Sequence, residues 1–328
     1  MESKIWSLYN DGVKKAYKQK TGNVSEINLM LTAMLKYAGI EANPVLLSTR
    51  QNGIAMFPNR TAFNYVVAGI EVQDNVLLLD ATSKNAIINL LPLRAVNWNG
   101  RIVRERGSSN VIDLLNVPTS KDNIIVLGEI KENGKVEGKL RRQLTDYNAF
   151  IQRDNYAALS EDSYIERMEN TYKGLNIEEY KADNMKDLYK PVVETYSFSH
   201  DNSIEVIGDK MYVSPLLFFT EDENPYKLDN RKYPVDFNFP YKDTYSISIK
   251  IPDGYEVEFL PAPISLAMEN NEAAFKYIIS SANNNIQLSV SFDINTFYIP
   301  ADGYQALKGF YKMLVEKEKE KVILKKKA

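Results

Sequence analysis

The stretch Gly22-Asn23-Val24-Ser25-Glu26-Ile27 opens the helix around which this chain is read. Asn23 is a strong N-cap, and Glu26 three residues later completes the pattern of a capping box. From Ile27 the helix runs through Leu29, Met30, Leu31, Ala33, Met34, Leu35, Tyr37 and Ala38. Apolar residues fall almost all round it, which predicts a helix buried on every side. Gly39 provides the C-terminal stop, and Pro44 lies safely beyond it. The open N-terminus of a buried helix favours a thiolate, because the helix dipole and free backbone N–H groups stabilise negative charge there. In this chain the candidate position is Val24, whose isopropyl group cannot attack anything.

Working outward, residues 3–20 carry Ile5, Leu8, Tyr9, Val13 and Tyr17 near helical spacing, and a helix is expected there. After the core helix, Pro44–Thr49 reads as a strand and Arg50–Thr61 as a loop broken by Asn52-Gly53 and Pro58. Phe63–Ile70 and Val76–Ala81 read as the two arms of a hairpin turning at Gln73-Asp74-Asn75. Residues 83–116 are mixed. From Ile124 onward alternating strands dominate, starting with a hairpin about Asn133-Gly134. Tyr245, Ile247, Ile249 and Ile251 alternate with polar residues, as do Ile286, Leu288, Val290, Phe292 and Ile294, so each strand has one buried and one wet face. Helices are expected over 147–158, 161–173 and 302–319. The composition shift near Val117-Pro118-Thr119-Ser120 marks the boundary between a domain over 1–116 and a second over 117–328.

The 328 residues are enough for about two domains. With 44% hydrophobic and 25% charged residues the chain reads as globular, and a net charge of −3 without a basic stripe argues against a nucleic-acid partner. No apolar run approaches the roughly 20 residues of a transmembrane helix. The sequence has no cysteine and one histidine, His200. Disulfides, thiolate metal sites and cysteine nucleophiles are therefore excluded, and no metal or cofactor is expected. The first residues lead straight into packing-type sequence with no signal peptide. An N-terminal truncation is expected.

The first 116 residues resemble the transglutaminase-like, papain-like superfamily. Three segments in order carry the resemblance: Gly22-Asn23-Val24-Ser25-Glu26, with the helix tail to Pro44-Val45; Phe63-Asn64-Tyr65-Val66; and Leu79-Asp80-Ala81-Thr82. Active members carry cysteine at the first, histidine at the second and aspartate at the third. Position by position, the triad here reads Val24, Tyr65, Asp80. Stretches Tyr233–Phe237 and Ile251–Tyr255 resemble a C-terminal β domain of unknown function in exported bacterial proteins. Those proteins also carry an N-terminal β domain, which this chain would lack. The resemblance implies an α+β fold: a papain-like transglutaminase core followed by an antiparallel β-sandwich-like domain with helical insertions. It also implies a periplasmic or cell-envelope location.

Without a thiol and without a histidine base, nucleophilic catalysis has no agent. Ser25 is displaced about 100° around the helix from Val24 and faces a tyrosine where a base is needed. Its simplest task is to satisfy a backbone donor at the helix start. Asp80, deprived of its histidine, needs another donor, and the Tyr65 hydroxyl is the simplest. The reading is thus a non-enzymatic protein that binds a peptide or glycan, or serves as a scaffold. Asn23, Ser25, Asn64, Tyr65, Asp80 and Trp98 are the candidates for a persisting groove. The alternative is a peptidase, amidase or transglutaminase-type enzyme with a rearranged site.

Overall fold

The computed structural model describes residues 12–57 and 61–327. The chain is mixed α/β and rich in strand, and it divides into two compact units, Met1–Pro118 and Thr119–Ala328. Of the helix expected over 3–20, Val13–Gln19 is present as α1, while Ile5, Leu8 and Tyr9, like Pro58 of the loop, lie outside the described residues.

In the first unit α1 is followed by α2 (Val24–Tyr37), β1 (Ala42–Leu47), β2 (Tyr65–Val72), β3 (Asn75–Leu79), β4 (Asn99–Val103) and β5 (Ser109–Asp113). The five strands form one antiparallel sheet in the order β3-β2-β1-β4-β5. Helix α2 lies against β1 and β2. The first five residues of β2, Tyr65 to Gly69, are all buried, as a strand covered on both faces requires. A Cβ at Gly69 would come within 2.7 Å of Val45 Cγ2, so only glycine lets these strands pack as they do.

Helix α2 corrects the expectation of all-round burial. Its buried residues are polar: Glu26, Asn28 and Thr32. Its apolar Leu29 and Met34 are exposed, and Tyr37 is 97% exposed. The reason lies beneath it. The face of the sheet it covers presents a carboxylate and free backbone groups, and polar groups can be buried there because each finds a partner. The capping box is present in full: Asn23 Oδ1 accepts from Glu26 N and Glu26 Oε2 accepts from Asn23 N, each at 2.9 Å.

The second unit contains β6 (Ser120–Ile130), β7 (Val136–Leu144), α3 (Asp146–Ala157), α4 (Glu161–Thr171), β8 (Leu175–Asp183), β9 (Val192–His200), β10 (Ile204–Ile207) and β11 (Lys210–Val213). It continues through β12 (Val235–Asp236), β13 (Tyr241–Lys250), β14 (Tyr255–Phe259), β15 (Ile264–Ala267), β16 (Ala273–Ala282), β17 (Asn285–Ile294), β18 (Tyr298–Ile299), α5 (Tyr304–Glu318) and β19 (Val322–Lys326). An eight-stranded sheet runs β15-β16-β17-β13-β6-β7-β9-β8, a four-stranded sheet β10-β11-β19-β14, and β12 pairs with β18. The core joins inward residues of the large sheet, such as Val126, Ile249, Phe275 and Tyr277, to Met211, Val213 and Leu324 of the small sheet and Phe310 and Leu314 of α5. Helices α3 and α4 pack at the other end of the large sheet, on β6, β7 and β8. The sheet is not wholly antiparallel: β6 and β13 run parallel over ten residue pairs, Tyr241↔Ser120 to Lys250↔Glu129. A parallel pair needs a long crossover, and the whole segment from β7 to β12 provides it. The Asn133-Gly134 turn is where expected, with Gly134 at φ 82°, a conformation glycine adopts without Cβ strain.

Candidate functional site

Two of the three positions of the resembled triad, Tyr65 and Asp80, meet in the first unit. Tyr65 begins β2 and Asp80 follows the last residue of β3, so the hairpin brings them together. The Tyr65 hydroxyl donates to Asp80 Oδ2 at 2.6 Å. The other oxygen, Oδ1, accepts from Asn28 Nδ2 at 3.0 Å, from Thr82 N at 2.8 Å and from Thr82 Oγ1 at 2.6 Å. Both carboxylate oxygens are therefore engaged. Asn28 is the hub between helix and sheet. At 0% exposure, it also donates to Val66 O at 2.9 Å and accepts from Ala81 N at 2.8 Å. Arg94 closes the far side, donating to the Tyr65 hydroxyl oxygen from Nε at 3.2 Å and Nη2 at 3.0 Å.

The electrostatics follow from this enclosure. Burial, then the adjacent Asp80 charge and the hydrogen bond to it, push the Tyr65 hydroxyl up to about 12, with Thr82 and Arg94 opposing in part. The phenol thus keeps its proton throughout the neutral range and serves as a donor to Asp80, not as a base. The other hydroxyl of the cluster, Thr82 Oγ1, donates to Asp80 Oδ1 at 2.6 Å.

The groove expectation needs correction at its floor. Tyr65 is 2% exposed and Asp80 6%. A phenol is larger than an imidazole, and here it is part of the interior and not the wall of an open cleft. Asn64 is turned to the neighbouring loop, with Oδ1 accepting from Thr49 N at 2.7 Å and Nδ2 donating to Thr49 Oγ1 at 2.8 Å. Trp98, partly exposed, has its carbonyl tied to Leu114 N at 2.8 Å. Val24, Asn23 and Ser25 are half-buried at the helix start, where Asn23 and not Ser25 satisfies the backbone donor.

Sequence reading missed Asn28 and Arg94, and had Thr82 only as part of the segment that carries Asp80. The available signal was Asn28 and Thr32, two polar residues four apart in an otherwise apolar helix, which a buried polar stripe requires.

His200 is a packed residue of the second unit. It is buried, with Nδ1 2.6 Å from Ser203 Oγ and Nε2 3.1 Å from Lys173 O. A carbonyl can only accept, so Nε2 carries the proton and Nδ1 accepts from the serine. Burial holds its pKa below the usual 6.5. The acidic loop at 221–224 is tied down: Glu223 pairs with Lys227, and Asn224 Nδ2 donates to Lys308 O of α5 at 2.9 Å. Among the described residues no helix is long and apolar enough to cross a membrane.

Residues 209–324 match the model of a domain of unknown function with a solved structure, DUF3858. The match spans β11 to β19, including both stretches, 233–237 and 251–255, that resemble such a domain. No curated protein matches the chain. Among solved structures, the chain is similar to a protein of Parabacteroides distasonis, provisionally named a protease, at 10% identity and a TM-score of 0.47. That likeness covers 95% of this chain and 46% of the other, so the chain spans less than half the length of that protein.

Proposed function

We propose that this is a non-enzymatic scaffold or binding protein of the bacterial cell envelope, its first unit a catalytically silent domain of the transglutaminase-like, papain-like type. The observation that carries this reading is the chemistry at the three triad positions. Val24 has no nucleophilic atom, and Tyr65, at the histidine position, spends its proton on Asp80. The carboxylate that would orient a histidine instead joins strand, helix and loop through four donors. A capped helix laid against a hairpin that carries the aspartate supports the superfamily reading. The domain of unknown function over 209–324 supports the C-terminal part of the resemblance. Because Tyr65 and Asp80 are buried and offer no groove floor, the first unit acts chiefly as a scaffold, and a peptide or glycan ligand would bind elsewhere.

The test is activity. The purified chain is incubated with casein and an amine donor, and with peptide and amide substrates, beside Ser25→Ala and Asp80→Ala variants. No turnover above buffer is expected. Turnover that either substitution abolishes overturns the proposal in favour of an enzyme with a rearranged site.

A further inference from the structure

The second unit holds a cavity of about 270 Å³ on the inner face of the large sheet, beneath α3 and α4. Its base is a pair of charges on adjacent strands, since Arg142 of β7 and Glu194 of β9 are register partners. Glu194 is 0% exposed. Its Oε1 accepts from Gln152 Nε2 at 3.0 Å and from the Tyr180 hydroxyl at 2.5 Å. The irregularity in β8 between Glu178 and Lys181, with Glu179 at φ 50°, accompanies this placement of Tyr180, as bulges that re-aim side chains do.

The second oxygen, Glu194 Oε2, is buried without a hydrogen bond. Arg142 Nη1 lies 3.5 Å from it, an ionic contact only, because the guanidinium is turned to Asp122, which takes Nε at 2.9 Å and Nη2 at 2.5 Å. An acceptor and a donor that are ion-paired but not hydrogen-bonded to each other thus stand side by side in a cavity, with Tyr164 beside Glu194. A buried carboxylate oxygen left in this state is costly, and a group that fills it recovers that cost. The group must donate to one atom and accept from the other, which is the capacity of a hydroxyl. A cation is disfavoured by Arg142, and an anion by Glu194 and Asp122.

The rest of the lining joins a second cation, Arg167, and apolar side chains such as Ile151 and Met168 to a row of amides. Asn148, Gln152 and Asn155 stand four and three residues apart on one face of α3, so three amides, each both donor and acceptor, face the cavity with the apolar ring of Tyr164. The volume is near the lower end of the roughly 300–1,000 Å³ of small-molecule sites, the scale of one ring and not of a peptide. We propose that this cavity binds a neutral carbohydrate, one of whose hydroxyls donates to Glu194 Oε2 and accepts from Arg142 Nη1. The site is in the other unit from the silent triad, and the inference does not depend on that reading.

The experiment is ligand-observed NMR and calorimetry on the full chain with glucose, galactose and N-acetylglucosamine, and with acetamide, acetate and tetramethylammonium as neutral-amide, anion and cation probes. At least one sugar is expected to saturate in the millimolar range or tighter. Glu194→Gln should weaken it about tenfold or more, the effect of losing a hydrogen bond to a charge. Should Glu194→Gln fail to fold, Asn148→Ala, at a half-buried position on α3, is expected to weaken binding severalfold with circular dichroism unchanged. Absence of saturation by every sugar up to its solubility overturns the proposal. So does sugar binding that Asn148→Ala and a folded Glu194→Gln leave unchanged, and so does saturation by acetamide, acetate or tetramethylammonium alone.

Discussion

Changing Tyr65 to phenylalanine keeps the ring and removes one oxygen. The variant loses the 2.6 Å bond to Asp80 and the acceptor of two bonds from Arg94. Asp80 Oδ2 is left buried without its donor. A hydrogen bond to a charged group contributes about 1.5–3 kcal/mol, so Tyr65→Phe should destabilise the first unit by about 2–3 kcal/mol at pH 8. Against a total of about 5–15 kcal/mol for a domain, that is a large fraction. The pH dependence gives a second, independent reading. The hydroxyl is raised from 10.0 to about 12 in the folded protein. A group whose folded pKa is raised contributes stability that is full below its unfolded pKa and is lost as pH climbs toward the folded value. Wild type should therefore lose about 2–3 kcal/mol at this residue between about pH 10 and 12, while the Tyr65→Phe variant has nothing to titrate at that position. The gap between the two proteins should narrow over that window. Urea unfolding followed by tryptophan fluorescence, which reports Trp98 of this unit, gives both values if the slopes match. A cost below about 0.5 kcal/mol at pH 8, under the range for such a bond, or a gap that stays constant to about pH 11.5, would refute the argument that this hydroxyl holds Asp80.

Asn28→Leu, nearly isosteric, removes three hydrogen bonds at once and leaves Val66 O and Ala81 N without side-chain partners; a loss of about 3–5 kcal/mol is expected in the same urea assay, and under about 1 kcal/mol would remove Asn28 as the hub. Introducing the two residues that the proposed superfamily would carry, as Val24→Cys with Tyr65→His, should give a thiol that reacts with iodoacetamide at about pH 6 at least about tenfold faster than Val24→Cys alone, because a neighbouring imidazolium stabilises the thiolate; equal rates would count against the transglutaminase-like geometry. His200 should still be largely neutral at pH 6.5 in the folded chain, and its ring carbon shift in NMR should show this. Its lowered pKa contributes stability present above the unfolded value and lost as pH falls below it, so His200→Gln should flatten the acid limb of the stability curve; an NMR titration midpoint at or above 6.5 would contradict this.

Local rules made much of this protein legible from its residues. The capping box at Asn23 and Glu26, the turn at Asn133-Gly134 and the period-two strands of 241–294 depend on neighbours in sequence, and the structure has all of them. That Val24 and Tyr65 carry neither thiol nor imidazole is likewise a matter of identity alone. Tertiary structure decided the rest. Which face of α2 turns inward could not be read from hydrophobicity, because a long-range partner, Asp80, made burying Asn28 favourable and left Tyr37 in water. Whether tyrosine would line a groove or fill it depended on the space between helix and hairpin. The parallel pairing of β6 with β13 joins strands far apart in the chain, beyond the reach of any local pattern. The meeting of Arg142 with Glu194 rests on strand register, and the cavity above them on two helices that only the folded chain lays over the sheet.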